Sequence, residues 1–305
     1  MDGVEENYCH YISSHGIMKS CDVYSRNHLH YIYKVDPVIL DNIKEGCTLY
    51  IKVYSMRDFI DNHAHNIKVP FVLVTGDGDL GVQDIFPDET SYITFLNNPM
   101  LIHWFSINTI FKHPKITLIP YGLDYHTMTR ERKDVYWANE VLTSVEQEKQ
   151  LMEINKQARP FWEREYKCYV NCNFLTSTRY GNDRIQAINS ISNELMYIEP
   201  SPTSRLNSWR AQTKYAFVLS PHGNGLDCIR TWEALILGCI PIVKKSRIDD
   251  LYEGLPVLIV DKWSDINREL LDKTIIEFRQ KYDSYKFEKL TLKYWSNLIS
   301  SYSRK

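Results

Sequence analysis

The run from Phe217 to Val243, FVLSPHGNGLDCIRTWEALILGCIPIV, constrains this chain more than any other stretch. The apolar residues Tyr215 to Leu219 give way to a polar loop holding Pro221, Gly223, Asn224 and Gly225. A helical pattern carrying Arg230 and Glu233 follows, and Gly238 leads into a second apolar strand, Ile240 to Val243. This order predicts a βαβ unit. The loop residues cannot prolong a buried strand, so the chain turns at the strand's carboxyl end, where open α/β sheets place ligands. Arg230 and Glu233, three apart, share a helix face, while Trp232, Leu235, Ile236 and Cys239 are set to pack inward.

A guanidinium at such a loop can grip phosphate oxygens in pairs, and a carboxylate can accept two hydroxyl hydrogen bonds from a sugar ring. Together they suit a sugar carried on a diphosphate; the plain alternative is an Arg230–Glu233 surface pair. The 305 residues, 44% hydrophobic and 24% charged, fit two soluble globular domains. A formal charge of -2, with Lys and Arg scattered, argues against a nucleic-acid partner. Seven irregularly spaced cysteines and no leader-like apolar run point to free thiols and a cytoplasmic or otherwise soluble intracellular location. Cys168 and Cys172 flank a strand-like segment and have no companions spaced for zinc. No apolar run is long enough for a transmembrane segment.

Strands are predicted at Leu49–Tyr54, Phe71–Thr75, Met100–Ile107 and Lys115–Ile119, with helices around Met56–Ile67 and Tyr92–Leu96, in an N-terminal α/β domain over 1–160. The first 30 residues read as irregular, with a short helix or hairpin. A second α/β domain, 161–285, contains strands at Cys168–Leu175, Met196–Ile198 and Val257–Val260 besides the central unit, with helices from near Asn182, over Ser204–Thr213 and from about Asp265 to Arg279. Residues 286–305 are expected to form a helix that packs back on the first domain. The fold class is therefore α/β, two Rossmann-like domains facing a central cleft, one half for a donor and the other for an acceptor.

The Ser220-Pro221 strand end, the glycine-containing loop, Arg230, Glu233-Ala234-Leu235 and Gly238-Cys239-Ile240-Pro241 together resemble the carboxyl-terminal signature of exostosin-like glycosyltransferases, which have the two-domain GT-B fold. The resemblance covers about Lys167 to Arg279, including YEGLPVLIVDKW at Tyr252–Trp263. It implies that the second domain binds a nucleotide sugar, with Arg230 near the diphosphate, Glu233 near ribose or sugar hydroxyls, and inverting transfer to a carbohydrate or glycoconjugate acceptor. UDP and GDP remain equally open as the donor nucleotide.

The cradle is assigned to Ser220, His222, Gly223, Asn224 and Gly225 with the amides that follow, and positive charge to Arg230, Arg179 and Arg184. Lys244 and Arg247 are lesser candidates. Fixed arginines replace metal charge, so no metal and no cofactor is expected. Asp79 and Asp77, exposed by the glycines of a GDGD strand end, are the candidate catalytic bases, with His63, His65 and His126 as alternatives. The same acidic pair could hold Mg²⁺, but it lies outside the donor signature. The competing readings are a non-catalytic carbohydrate-binding or assembly protein, a phosphorylase, and an epimerase, the last weakened by the absent three-glycine fingerprint.

Overall fold

In the computed structural model, which describes residues 4–26, 32–131, 138, 140–171, 177–200 and 203–303, the apolar runs build two separate parallel sheets. β1 (Cys47–Lys52), β2 (Phe71–Gly76), β3 (Leu101–Ser106) and β4 (Ile116–Leu118) lie side by side in chain order. β5 (Glu165–Val170), β6 (Met196–Ile198), β7 (Tyr215–Leu219), β8 (Ile240–Lys244) and β9 (Leu258–Val260) follow in the order β6-β5-β7-β8-β9. β1, β2 and β7 are buried along their whole length, as strands covered on both faces must be. Two helix-flanked parallel sheets make this a two-lobed α/β structure of GT-B-like form.

The second sheet fixes where a ligand can enter. β5 has β6 on one side and β7 on the other, so connections leave in opposite directions and a crevice opens between the loops after β5 and β7. β5 begins three residues earlier than the sequence predicts and ends at Val170. The rest of that predicted strand, from Cys172 to Leu175, lies outside the described residues. The six described cysteines are free, and burial pushes the Cys168 thiol up to about 12.

The amino-terminal segment is more ordered than its polarity suggests. Helix Ser14–Lys19 is capped by Ser13, whose Oγ accepts from the Gly16 amide at 3.1 Å, and it buries Ser14 through Met18. Glu148, on the helix Ser144–Gln157, accepts from the amides of His10 and Tyr11 at 2.8 Å each. The chain's other end returns to the first sheet: helix Leu292–Ser303 lies against β1, β2 and β3, with Tyr302 packed 4.1 Å from His103 between ring centres.

The lobes share a core in which Ile12, Leu123 and Tyr125 join Trp209, Trp232, Leu251 and Trp295. Asp227 bolts it. Its Oδ2 accepts from the Tyr121 amide at 2.7 Å, Trp232 donates to both oxygens at 2.9 and 3.0 Å, and its own amide donates to Asn108 Oδ1 at 2.8 Å. Burial drives the Asp227 carboxyl up to about 6 against these hydrogen bonds, which hold it down. A folded-state value above the unfolded one means that the folded chain binds the extra proton, so stability falls as pH rises from about 4 through 6 and is level above. Wild type should therefore gain about 2 kcal/mol relative to Asp227→Asn as the pH drops from about 7.5 to about 4.5. Urea unfolding of both proteins at the two pH values checks this; a constant difference refutes it.

Candidate active site

The loop after β7 is built from inside. The Ser220 amide donates to the Ile242 carbonyl at 2.9 Å and its hydroxyl lies 2.9 Å from Thr231 Oγ1, so Ser220 ties strand to helix within the βαβ unit. The His222 amide donates to Asp183 Oδ2 at 3.1 Å, with ring Nδ1 3.4 Å from the same oxygen. Burial lowers the His222 pKa although Asp183 opposes it, so the ring is neutral at pH 7. Trp263 and Lys244 also reach Asp183, at 2.8 and 3.4 Å. A Cβ at Gly223 would stand 2.5 Å from Arg184 Nη2, so the missing side chain is what lets that guanidinium lie against the loop. Asn224, at the exposed tip, crosses to the first lobe, donating from Nδ2 to Asp79 Oδ2 at 2.8 Å.

Arg230 and Glu233, on helix Ile229–Ile236, are not partners. Arg230 donates from Nε to the Asn171 carbonyl just beyond β5, at 2.9 Å, which holds its guanidinium at the crevice between β5 and β7. Among the described residues its terminal nitrogens make no further hydrogen bond or ion pair. Glu233 Oε1 instead accepts from Arg205 Nε and Nη2 at 3.0 and 2.9 Å. Arg205 is buried, stacks 4.9 Å over Trp209, and donates from Nη1 to Gln147 Oε1 at 3.2 Å and to the Asp124 carbonyl. Sequence reasoning gave Arg205 no role, although its four-residue spacing from Trp209 is the one at which an arginine can lie over an aromatic ring on a helix. Arg179 does not face the crevice alone: its Nη2 sits 2.6 Å from Asp84 Oδ1 of the first lobe, and this hydrogen bond raises its pKa. Arg247 lies apart from this loop, in a groove of about 610 Å³ that also contains Lys112 and Tyr294.

On the first lobe the two aspartates separate. The expectation that both are exposed fails for Asp77, which is buried at the end of β2 with φ +56°. Parallel pairing sets Lys52, at the end of β1, beside Gly76, and its Nζ lies 2.6 Å from Asp77 Oδ2. His15 Nε2 is 3.1 Å from the same oxygen. His126 stacks on His15 at 3.9 Å with 14° between planes, with Nδ1 3.1 Å from Asp124 Oδ1 and Nε2 3.8 Å from Asp77 Oδ1. Glu6 is buried beside them, and burial raises its pKa against the pull of His15. Glu6, His15 and His126 bring ligand atoms within 4.8 Å of one another. The Lys52 cation beside Asp77 already supplies the positive charge that a metal ion would bring here. The group is a buried charge cluster held by close opposite charges and not a convincing metal centre.

Asp79 is half-buried at the lobe boundary, where its carboxylate also lies 3.4 Å from Tyr54 OH and its carbonyl accepts from Asn108 Nδ2 at 3.2 Å. His63 pairs with Asp58 at 3.3 Å and His65 is exposed on the next turn, so neither joins the cluster.

No family model matches the chain, and no curated protein matches it. Among solved structures it is similar to a mutant of S. aureus TarM in complex with fondaparinux, alpha-GlcNAc-glycerol and UDP. That likeness has 12% identity and a TM-score of 0.33, over 82% of this chain and 55% of that one. The chain thus spans just over half of that protein's length, and a likeness this faint carries no weight beside the geometry. No helix among the described residues is long and apolar enough to cross a membrane.

Gly225 is a close approach between the lobes, since a Cβ there would meet Asn108 Nδ2 at 2.5 Å. Asn108 cannot yield without losing its bonds to Asp79 and Asp227. Gly225→Ala should cost about 1–3 kcal/mol in denaturant unfolding, and wild-type stability in that variant would contradict the close approach.

Proposed function

We propose that this protein is a glycosyltransferase of exostosin-like type, moving a sugar from a UDP- or GDP-linked donor to a hydroxyl of a carbohydrate or glycoconjugate, with inversion and without a metal. The observation that carries the reading is the placement of Arg230 at the β5/β7 crevice by the Asn171 carbonyl, one helical turn from Glu233.

In this reading Arg230 and Arg184 take the diphosphate, and the amides of the Gly223–Gly225 loop add fixed dipoles that stabilise charge on the leaving group without reorganising. Glu233 accepts a ribose or sugar hydroxyl through the oxygen that Arg205 does not hold. Asn224 and Arg179 close the loop against Asp79 and Asp84, bringing donor and acceptor lobes into register and excluding water from an activated sugar. Ser220 and His222 shape the loop from behind. Asp79 has a positioning role, and Asp77, paired with Lys52, acts through its neighbours.

The test is a panel of UDP- and GDP-sugars, measured by calorimetry and by transfer to saccharide acceptors, with and without Mg²⁺ or Mn²⁺. Arg230→Ala should weaken donor binding by about 1.5–3 kcal/mol, roughly 10- to 150-fold, the range for a charge-assisted hydrogen bond. Undiminished affinity in that variant overturns the site. Tight binding by wild type with no turnover on any acceptor favours the non-catalytic carbohydrate-binding alternative.

A further inference from the structure

We infer that the groove of about 610 Å³ beside β4 binds a small organic phosphomonoester. The groove shares no lining residue with the loop after β7 or with the helix that carries Arg230, and none of its residues takes part in the transfer proposed above.

Three parts of the chain make its walls. The 109–118 stretch belongs to the first lobe, 247–251 follows β8 of the second, and 289–298 leads back to the first sheet. The volume falls in the range of sites for small organic molecules, roughly 300–1,000 Å³.

The charge selects the ligand. Lys112, Arg247 and Lys289 share the groove with one carboxylate, Asp250, so two positive charges are left over. A phosphomonoester carries about −1.5 to −2 at pH 7 and matches them, where a single carboxylate or a neutral molecule does not. Arg247 is exposed and, among the described residues, makes no hydrogen bond or ion pair. Its planar fork of donors suits two phosphate oxygens. Lys112 Nζ lies 2.5 Å from Asp250 Oδ2, an exposed pair of the kind that costs little to exchange for another anion. Lys289 is buried and held from behind: its Nζ donates to the carbonyls of Leu251 and Glu253 at 2.8 Å each, which leaves one of three N–H donors. Burial lowers its pKa against the pull of Glu253, the mark of a cation short of counter-charge. His113 Nδ1 accepts from the Lys115 amide at 3.1 Å, so Nε2 carries that ring's proton.

The surface between these groups is apolar. Phe111, Ile116, Leu118, Tyr294 and Leu298 line the groove and are all half-buried. Bare phosphate would leave them wet, whereas an ester whose body presents an apolar face covers them.

Calorimetry on the full chain provides the test, with glucose 6-phosphate and phenyl phosphate as ligands and inorganic phosphate and glucose as references. One ester or both should bind about tenfold or more tightly than inorganic phosphate, and glucose about 100-fold more weakly than the better ester. Raising NaCl from about 0.05 to about 0.5 M should weaken the ester several-fold, because exposed cations are screened. Arg247→Ala, at an exposed position where substitution leaves folding intact, should lower ester affinity about 10- to 150-fold, the range for a charge-assisted hydrogen bond. Lys112→Ala should lower it by a smaller factor. Arg230→Ala should hold it within about threefold, as an independent site requires. Ester affinity unchanged in Arg247→Ala overturns the site. Affinity lost in Arg230→Ala but kept in Arg247→Ala also overturns it, by assigning the phosphate to the β5/β7 crevice. Inorganic phosphate or glucose binding as tightly as both esters overturns the ligand class, and no ester binding at about 10 mM overturns the proposal outright. None of these results depends on whether a nucleotide sugar binds.

Discussion

A single buried cation organises the junction of the two lobes. Arg205 belongs to the second lobe's helix Arg205–Gln212, yet its guanidinium reaches the Asp124 carbonyl and Gln147 as well as Glu233. A charge removed from water is tolerated only when its donors are met by well-placed acceptors, and here the acceptors come from both halves of the chain. Separating the lobes would strand it. The rest of the site inherits its geometry from this arrangement, because Glu233 is aimed by Arg205 and the Asp124 turn that carries His126 is held by the same group. The exposed interlobe ion pair Lys112–Asp250 is of a kind worth little in water, whereas Arg179–Asp84 has its carboxylate largely covered.

The strands and their order along the chain are legible in the residues because strands buried on both faces must be apolar throughout. The runs FVLVTG and YAFVL announce themselves for that reason. The loop after β7 is legible too, since Pro221, Gly223 and Gly225 can only break a strand. What eludes the sequence is pairing over distance. Arg205 and Glu233 are 28 residues apart, and Asn224 and Asp79 are separated by 145, so no local period links them.

Asp77 illustrates the same limit from the other side. Neighbouring glycines suggest an open turn, but exposure depends on what the next strand places alongside, and β1 ends in a lysine at the matching level. The helix Ser14–Lys19 is hidden for a related reason. Its buried face carries Ser14 and His15, the latter part of the charge cluster, so a polar stretch becomes interior without a hydrophobic period to mark it.

The return of Leu292–Ser303 to the first sheet means that the polypeptide passes between the lobes twice, once between β4 and β5 and again after β9. Two covalent tethers leave one soft rotation, a hinge about the line joining them, and stiffen twisting and sliding. Any breathing of the crevice is then a jaw-like swing whose arc is set by where those strands of backbone cross.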